Sequence, residues 1–334
     1  MYSETANNLL VDPFQRTVNY LRVSVTDRCN LRCHYCMTSH PHWLPKGAIL
    51  TLEEIERVVA IGVGLGITKV RLTGGEPLCR KGIVELIARL SALDGLHDLA
   101  LTTNGTLLAQ KAAALKEAGL RRINISLDTM DAAGFQRITG LDLLDTVWQG
   151  IAASAAVGFN PVKINCVVMR GSNEDQIEPL ADLTRHHPFH VRFIEYMPIA
   201  VDPAAAERHF MPAAEVQARL QRLGPMIPIP SQNGDGPARR FRFEGAPGEI
   251  GLIGSMSEHF CSRCNRLRLT ADGHLRPCLL ADDQVDLIGA LRRGEGDDAI
   301  AALFSQALTL KKKGHRLSFA GHCTPRTQMT RIGG

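Results

Sequence analysis

The sequence predicts an α/β fold: a partial TIM-type (β/α)6 barrel followed by a C-terminal α+β domain covering the barrel mouth. Three observations carry this reading. Residues 20–198 repeat a strand-then-helix beat through six candidate strands, and that alternation implies a parallel sheet. The beat carries no dinucleotide glycine fingerprint, which favours a barrel over an open Rossmann sheet. Residues 224–238 hold seven Gly or Pro in fifteen positions, a boundary signal, and the strands beyond it are short. The expected division is therefore residues 1–223 as barrel, 224–238 as linker and 239–334 as C-terminal domain.

Taken in order, the first strand (20–26) rests on Leu21-Arg22-Val23-Ser24-Val25-Thr26, where apolar and polar residues alternate. Further strands are predicted at 69–73, 98–103, 122–127, 162–169 and 190–197. Helices fall between them at 51–65, 82–93, 106–118, 142–157 and 174–186. Thr51 with Glu54 three positions on reads as a capping box opening the first helix. Past the boundary come strands at 240–243 and 249–253, a hairpin with Asp272-Gly273 at its turn, and a helix at 298–312. That helix runs into Lys311-Lys312-Lys313, which reads as a solvated, dipole-favoured C-terminal end. The last residues, Thr330 to Gly334, read by default as a frayed tail.

Composition bounds the function. The hydrophobic fraction of 45% is ordinary for a soluble globular protein. No apolar run approaches the ~20 residues of a membrane span, and residues 1–15 lack a signal-peptide core. No membrane partner and a cytoplasmic location are expected. Nine cysteines, six of them in two tight clusters, point to metal rather than disulfides. Cys166 lies in an apolar strand and reads as core; Cys79 and Cys323 carry no assignment. The net charge is +4, and residues 225–334 supply all of it, with 15 Lys+Arg against 11 Asp+Glu. That surplus is too weak for a nucleic-acid footprint but suits a local anion site.

Cys29, Cys33 and Cys36 stand at C-x3-C-x2-C in the loop leaving the first strand. In a barrel the chemistry sits at the strands' carboxyl ends, so the placement fits. Three thiolates can hold three irons of a four-iron, four-sulfur cluster, which normally takes four protein ligands. One iron is then open to a substrate or cofactor. The spacing matches neither the ferredoxin run nor a zinc knuckle. Structural thiols are the bland alternative, but reduced core cysteines usually scatter.

Thr73-Gly74-Gly75-Glu76-Pro77 follows the second strand. Its glycines permit close backbone approach, and the Glu76 carboxylate can accept from an ammonium group. Cys261, Cys264 and Cys278 form a second triplet. The spacing fits a structural zinc with His259 or His274 as fourth ligand, and equally a second iron–sulfur cluster. Asn265-Arg266-Leu267-Arg268 tilts the balance. Arg266 and Arg268, two apart on a strand, point to one face, and Arg forks bind phosphate. A metal with an open position beside a phosphate clamp describes a nucleotide site. Arg22, Arg71 and Arg192, and Thr102, Ser126, Lys163 and Met197, lie on strands or near their carboxyl halves, where a barrel gathers its active groups.

The first triplet and the Gly-Gly-Glu-Pro loop resemble the radical S-adenosylmethionine (SAM) superfamily. With the second triplet, Leu-Thr-Thr-Asn-Gly at 101–105, Arg-Phe-Ile-Glu-Tyr-Met at 192–197 and the terminal Gly333-Gly334, the chain resembles the molybdenum cofactor biosynthesis A family within it, from about Phe14 to Gly334. The resemblance implies two [4Fe-4S] clusters, one on Cys29, Cys33 and Cys36, the other on Cys261, Cys264 and Cys278 with its open iron on guanine. It implies SAM contacts from Tyr35, Gly74, Gly75, Glu76, Ser126 and Met197. It implies GTP contacts from Arg22, Arg71, Thr102, Lys163, Arg192, Arg266, Leu267 and Arg268, and catalytic roles for Arg266, Arg268, Gly333 and Gly334. The implied reaction cleaves SAM to a 5′-deoxyadenosyl radical that takes hydrogen from the GTP ribose C3′, after which C3′ attacks guanine C8. The implied partners are a protein reductant and a downstream cyclic pyranopterin monophosphate synthase, with a homodimer among the options.

Three departures stand out. Thr38 replaces a usual proline, residues 39–47 are rich in His and Pro rather than acidic, and Cys79 sits where an aliphatic is usual. Two other functions compete. A radical SAM peptide or protein modifier with an auxiliary cluster would usually carry more C-terminal cysteines. A zinc-stabilised nucleic-acid-binding module would show basic patches interleaved with aromatics, yet aromatics make up only 5% of the chain.

Overall fold

The computed structural model describes residues 9–37, 40–199, 203–230, 236–319 and 327–333. The six predicted strands of the first half form as β1 (Tyr20–Ser24), β2 (Lys69–Thr73), β3 (Asp98–Thr103), β4 (Arg122–Ser126), β5 (Lys163–Val168) and β6 (His190–Glu195). Between them run helices α1 (Leu52–Gly64), α2 (Ile83–Ser91), α3 (Leu108–Glu117), α4 (Ala132–Thr139), α5 (Leu144–Ala156) and α6 (Ile177–His186). The Thr51 capping box forms with both reciprocal bonds: Glu54 N–H donates to Thr51 Oγ1 at 3.1 Å and Thr51 N–H to Glu54 Oε2 at 2.7 Å. Helix α4, absent from the sequence reading, is only eight residues long and held by local caps. Asp131 accepts from Gly134 N–H at its start, and left-handed Gly140 closes it.

Two helices also absent from the sequence reading, α7 (Pro203–His209) and α8 (Ala213–Gln221), lead to β7 (Met226–Ile229), which lies inside the proline-rich stretch read as a boundary. β7 is an edge strand, a sheet position where prolines are tolerated. Then follow β8 (Arg239–Phe243), β9 (Glu249–Ile253), β10 (Arg266–Leu269), β11 (His274–Arg276), β12 (Val285–Asp286), α9 (Ile288–Arg292), α10 (Asp297–Thr309) and α11 (Met329–Ile332).

All twelve described strands join one sheet in the order β12-β11-β10-β1-β2-β3-β4-β5-β6-β9-β8-β7. The eight strands from β10 to β9 in that order are parallel, and antiparallel pairs finish each edge. The C-terminal region therefore extends the barrel sheet at both edges instead of forming a separate layer. Period-two alternation splits each strand. Leu21, Val23, Leu72, Leu101, Ile125 and Ile164 pack into one continuous apolar core with the helices, each contributing roughly 1.5–3 kcal/mol by burial. Cys166 lies in that core as expected. The polar residues between them face the interior.

Candidate active site

Direction along the sheet decides where the two thiol triplets lie. The first follows β1, so it sits at the carboxyl end of the parallel strands. Cys261 and Cys264 precede β10, which runs parallel to β1, and Cys278 follows the antiparallel β11. The second triplet therefore lies at the amino end. This corrects the expectation that it would approach over the mouth. The length of β1, about 13 Å at 3.3 Å per residue, stands between the two ends, and both triplets line one cavity of about 360 Å³.

At the carboxyl end the Gly-Gly-Glu-Pro turn braces the thiol loop. Gly75 N–H donates to Thr26 O at 2.8 Å and Glu76 N–H to Arg28 O at 2.8 Å. A Cβ on Gly75 would lie 2.3 Å from Arg28 O and 2.5 Å from Asp27 O, so only glycine fits there. Tyr35 Oη donates to Asp128 Oδ2 at 2.7 Å. Burial pushes the Cys29 thiol up to about 11 and Cys36 up to about 12, and holds Cys33 well above its usual range. These thiols do not ionise unaided near neutral pH; a bound metal would displace their protons. Tyr35, Gly74, Gly75, Ser126 and Met197 all line the cavity.

Glu76 does not line it, and this corrects its expected role. The side chain turns inward, 1% exposed. Oε1 accepts from Leu78 N–H and Thr103 Oγ1, and Oε2 from Asn104 N–H at 2.7 Å. It therefore ties β2 to β3 behind the turn, and burial lifts its pKa to about 7.

The interior is cationic. Arg22, Arg71, Lys163, Arg192, Arg266 and Arg268 face the cavity with Thr102, and Lys69 and Arg122 join them; among the described residues the one carboxylate in the lining is Asp128. Strand register stacks these groups: Arg22 stands beside Arg71 on one side and Arg268 on the other, and Tyr20 beside Lys69 and Arg266. Asp98 bridges Lys69 (3.2 Å) and Arg122. Burial, reinforced by Arg192, Arg122, Arg71 and Lys69, pulls Lys163 down to about 6. Burial alone would raise Tyr20, but Arg71, Arg22, Lys69 and Arg266 outweigh it and bring the phenol to about 7. Tyr20 Oη, Arg71 Nε, Thr102 Oγ1 and Asn165 Oδ1 are buried with no hydrogen-bond partner. Crowded like charges and orphaned polar groups are the state a polyanionic ligand would relieve.

Around the second triplet, burial would raise Cys264, but Arg266 and Lys311 beside it bring the thiol down to about 7. His274 pairs with Asp272 at 3.4 Å and does not line the cavity, so it is no zinc ligand. Among the described residues, His259, Cys261 and His315 are the only three potential ligands whose donor atoms lie within 4.8 Å of one another. His315 already uses both ring nitrogens, on Ser255 O and Leu317 N–H. Neither cysteine triplet gathers its sulfurs that closely, whereas a single zinc at 2.3 Å Zn–S would hold them about 3.8 Å apart. Leu267 is corrected as well: its side chain is fully buried in the core on the opposite face, leaving only its backbone near the site.

The C-terminal segment, read by default as frayed, enters the carboxyl end. Helix α11 packs on β1, and Arg268 donates to the Gly333 carbonyl. A Cβ on Gly333 (φ +76°) would lie 2.1 Å from Thr73 Oγ1. Gly334, Cys323, Thr38 and Ser39 lie outside the described residues. Tyr20, Lys69, Arg122, Asn165 and Asp128 were not singled out from sequence. The signal for the first four was available: each is an even number of positions from a chosen inward residue on its own strand.

A family model of the radical SAM superfamily matches residues 23–184, and one described as Molybdenum Cofactor Synthesis C matches residues 189–317. Relatives named GTP 3′,8-cyclase include one from Pelotomaculum thermopropionicum, 50% identical over 97% of this chain and 99% of its own. Another, from Moorella thermoacetica, is 49% identical over the same shares. Among solved structures, Streptococcus suis SuiB bound to precursor peptide SuiA aligns with TM-score 0.61 at 16% identity, covering 91% of this chain and 67% of that one. At that identity the likeness is one of fold.

Proposed function

From the premise that this chain belongs to the GTP 3′,8-cyclase family of radical SAM enzymes, we propose how its cavity holds the reactants. The chain converts GTP to (8S)-3′,8-cyclo-7,8-dihydroguanosine 5′-triphosphate, in molybdenum cofactor biosynthesis. When bound, the iron–sulfur cluster and SAM would supply radical chemistry able to take hydrogen from the ribose C3′.

Cys29, Cys33 and Cys36 would hold the SAM cluster. Gly74 and Gly75 would offer backbone to SAM, with Tyr35, Ser126 and Met197 around it. Arg22, Arg71, Thr102, Lys163, Arg192, Arg266 and Arg268 would hold GTP, its triphosphate drawn by the cation excess. Cys261, Cys264 and Cys278 would hold a second four-iron cluster whose open position would take the guanine; that their sulfurs do not all lie within 4.8 Å of one another supports a cluster over a single ion. Gly333 would act at the carboxyl end, where Arg268 meets it, and Gly334 would share its catalytic role. Enclosure between the two ends keeps water and side reactions from a reactive intermediate. A protein reductant and a downstream cyclic pyranopterin monophosphate synthase would complete the sequence.

The observation that carries this reading is one cation-lined cavity with a thiol triplet at each end. Its test is anaerobic incubation with SAM, reductant and GTP, followed by chromatography and mass spectrometry. The expected result is GTP consumption, 5′-deoxyadenosine, and a product isomeric with GTP. SAM cleavage with GTP untouched would favour the peptide-modifying reading.

A further inference from the structure

The run Lys311-Lys312-Lys313 reads from sequence as a solvated helix end. Lys312 and Lys313 fit that reading: both are exposed, and Lys312 pairs with Asp283 at 2.7 Å. Lys311 does not; it is 4% exposed. Its Nζ donates to Arg266 O at 2.8 Å and Pro277 O at 2.9 Å, and lies 3.6 Å from Cys264 Sγ. An ammonium has three protons to donate, and these contacts use all of them.

The three partners lie on two segments of the second thiol site. Cys264 is one of its thiols. Arg266 opens β10 and contributes a guanidinium to the cavity. Pro277 immediately precedes Cys278. One buried ammonium thus staples two cysteine-bearing segments to the start of the arginine strand. A neighbouring cation does the same for the third thiol: Arg16, paired with Asp12 at 2.5 Å, donates to Cys261 O at 2.6 Å and Lys312 O at 2.8 Å.

The charge needs an anion. A buried ammonium without a negative partner is costly. No carboxylate lies within ion-pair distance of Lys311 among the described residues; the groups nearest its charge that can become negative are Cys264 and Cys278. Those sulfurs are anionic when they bind metal.

We propose that Lys311 is a positioning residue of the second thiol site: it fixes the segments carrying Cys264, Arg266 and Cys278, and its charge compensates the bound cluster. The inference rests on the reading of that triplet as a cluster site. A positive charge at this distance favours the added electron, so it raises the cluster's reduction potential.

The test uses the full chain, reconstituted anaerobically, with Lys311→Met, Lys311→Gln and Lys312→Met as the surface control. Iron and zinc per chain, Mössbauer spectra and a spectroelectrochemical titration are read without turnover. Lys311→Met is expected to lose half its iron while the first triplet's irons stay. Lys311→Gln, which keeps two donors but no charge, is expected to retain the second cluster at a more negative potential. Lys312→Met should match wild type. Full iron and an unshifted potential in both Lys311 variants would overturn the proposal. So would global unfolding of both with loss of the first triplet's irons, since Lys311 would then be a general fold element. Zinc at the second triplet of the wild-type chain would instead remove the premise, and the metal analysis reports that separately.

Discussion

Tyr20 shows how the cavity couples charge to ligand. Its phenol sits among Arg71, Arg22, Lys69 and Arg266 and titrates near 7, while Lys163 titrates near 6. A bound triphosphate neutralises the surrounding cations, which raises both values and makes the protein take up protons. GTP affinity is therefore expected to fall as pH rises from 6 to 8. Calorimetry in two buffers of different ionisation enthalpy should show uptake of about one to two protons at pH 7.5, and Tyr20→Phe should reduce that count. Binding with no proton exchange would contradict this picture. Glu76 gives a second test. Its folded value of about 7 lies above the ordinary 4.5, so its contribution to stability is present below 4.5 and lost as pH rises through 7. The wild-type melting temperature should thus fall across that window relative to Glu76→Gln. The thiols and arginines were legible because side-chain chemistry announces itself. Glu76 and Leu267 were misplaced because a motif letter does not say which face its side chain takes. Lys311 was misread because burial by remote segments leaves no local trace.

Two elements carry the site. The Gly74-Gly75 turn holds the first thiol loop by backbone contact alone, and Gly75→Ala forces a Cβ to within 2.3 Å of Arg28 O. That variant should lose SAM binding and iron from the first triplet while keeping the second's. Thr51→Ala, which removes a capping box remote from the cavity, should cost about 1 kcal/mol with iron content unchanged; a melt and a metal assay separate the two. Helix α11 and Gly333 form the other device. Gly333→Ala should cut GTP turnover at least tenfold while leaving the melting temperature near wild type, because the clash lies between the tail and the side chains of Thr73 and Ser24. The six barrel strands, β8 to β11 and the longer helices were legible from period and caps, whereas β7 and helices α7, α8 and α9 were not. Helix α4 and strand β12 were not, being too short to show a period. Helix α11 was missed because its order comes from packing on β1 rather than from its own four residues.

At the scale of the whole molecule, topology makes the chemistry possible. Strands β10 and β9 enter the sheet beside β1 and β6, so one chain places a thiol triplet at each end of a single cationic interior. The barrel was readable from the strand–helix alternation. The entry of the C-terminal strands at both edges was not, because long-range pairing has no local period. No described helix is long and apolar enough to cross a membrane. The most direct test of two incompletely liganded clusters in one cavity is metal analysis of the anaerobically reconstituted chain. The account predicts about eight irons per chain, four for each cluster, and no stoichiometric zinc. Four irons with one zinc would contradict it.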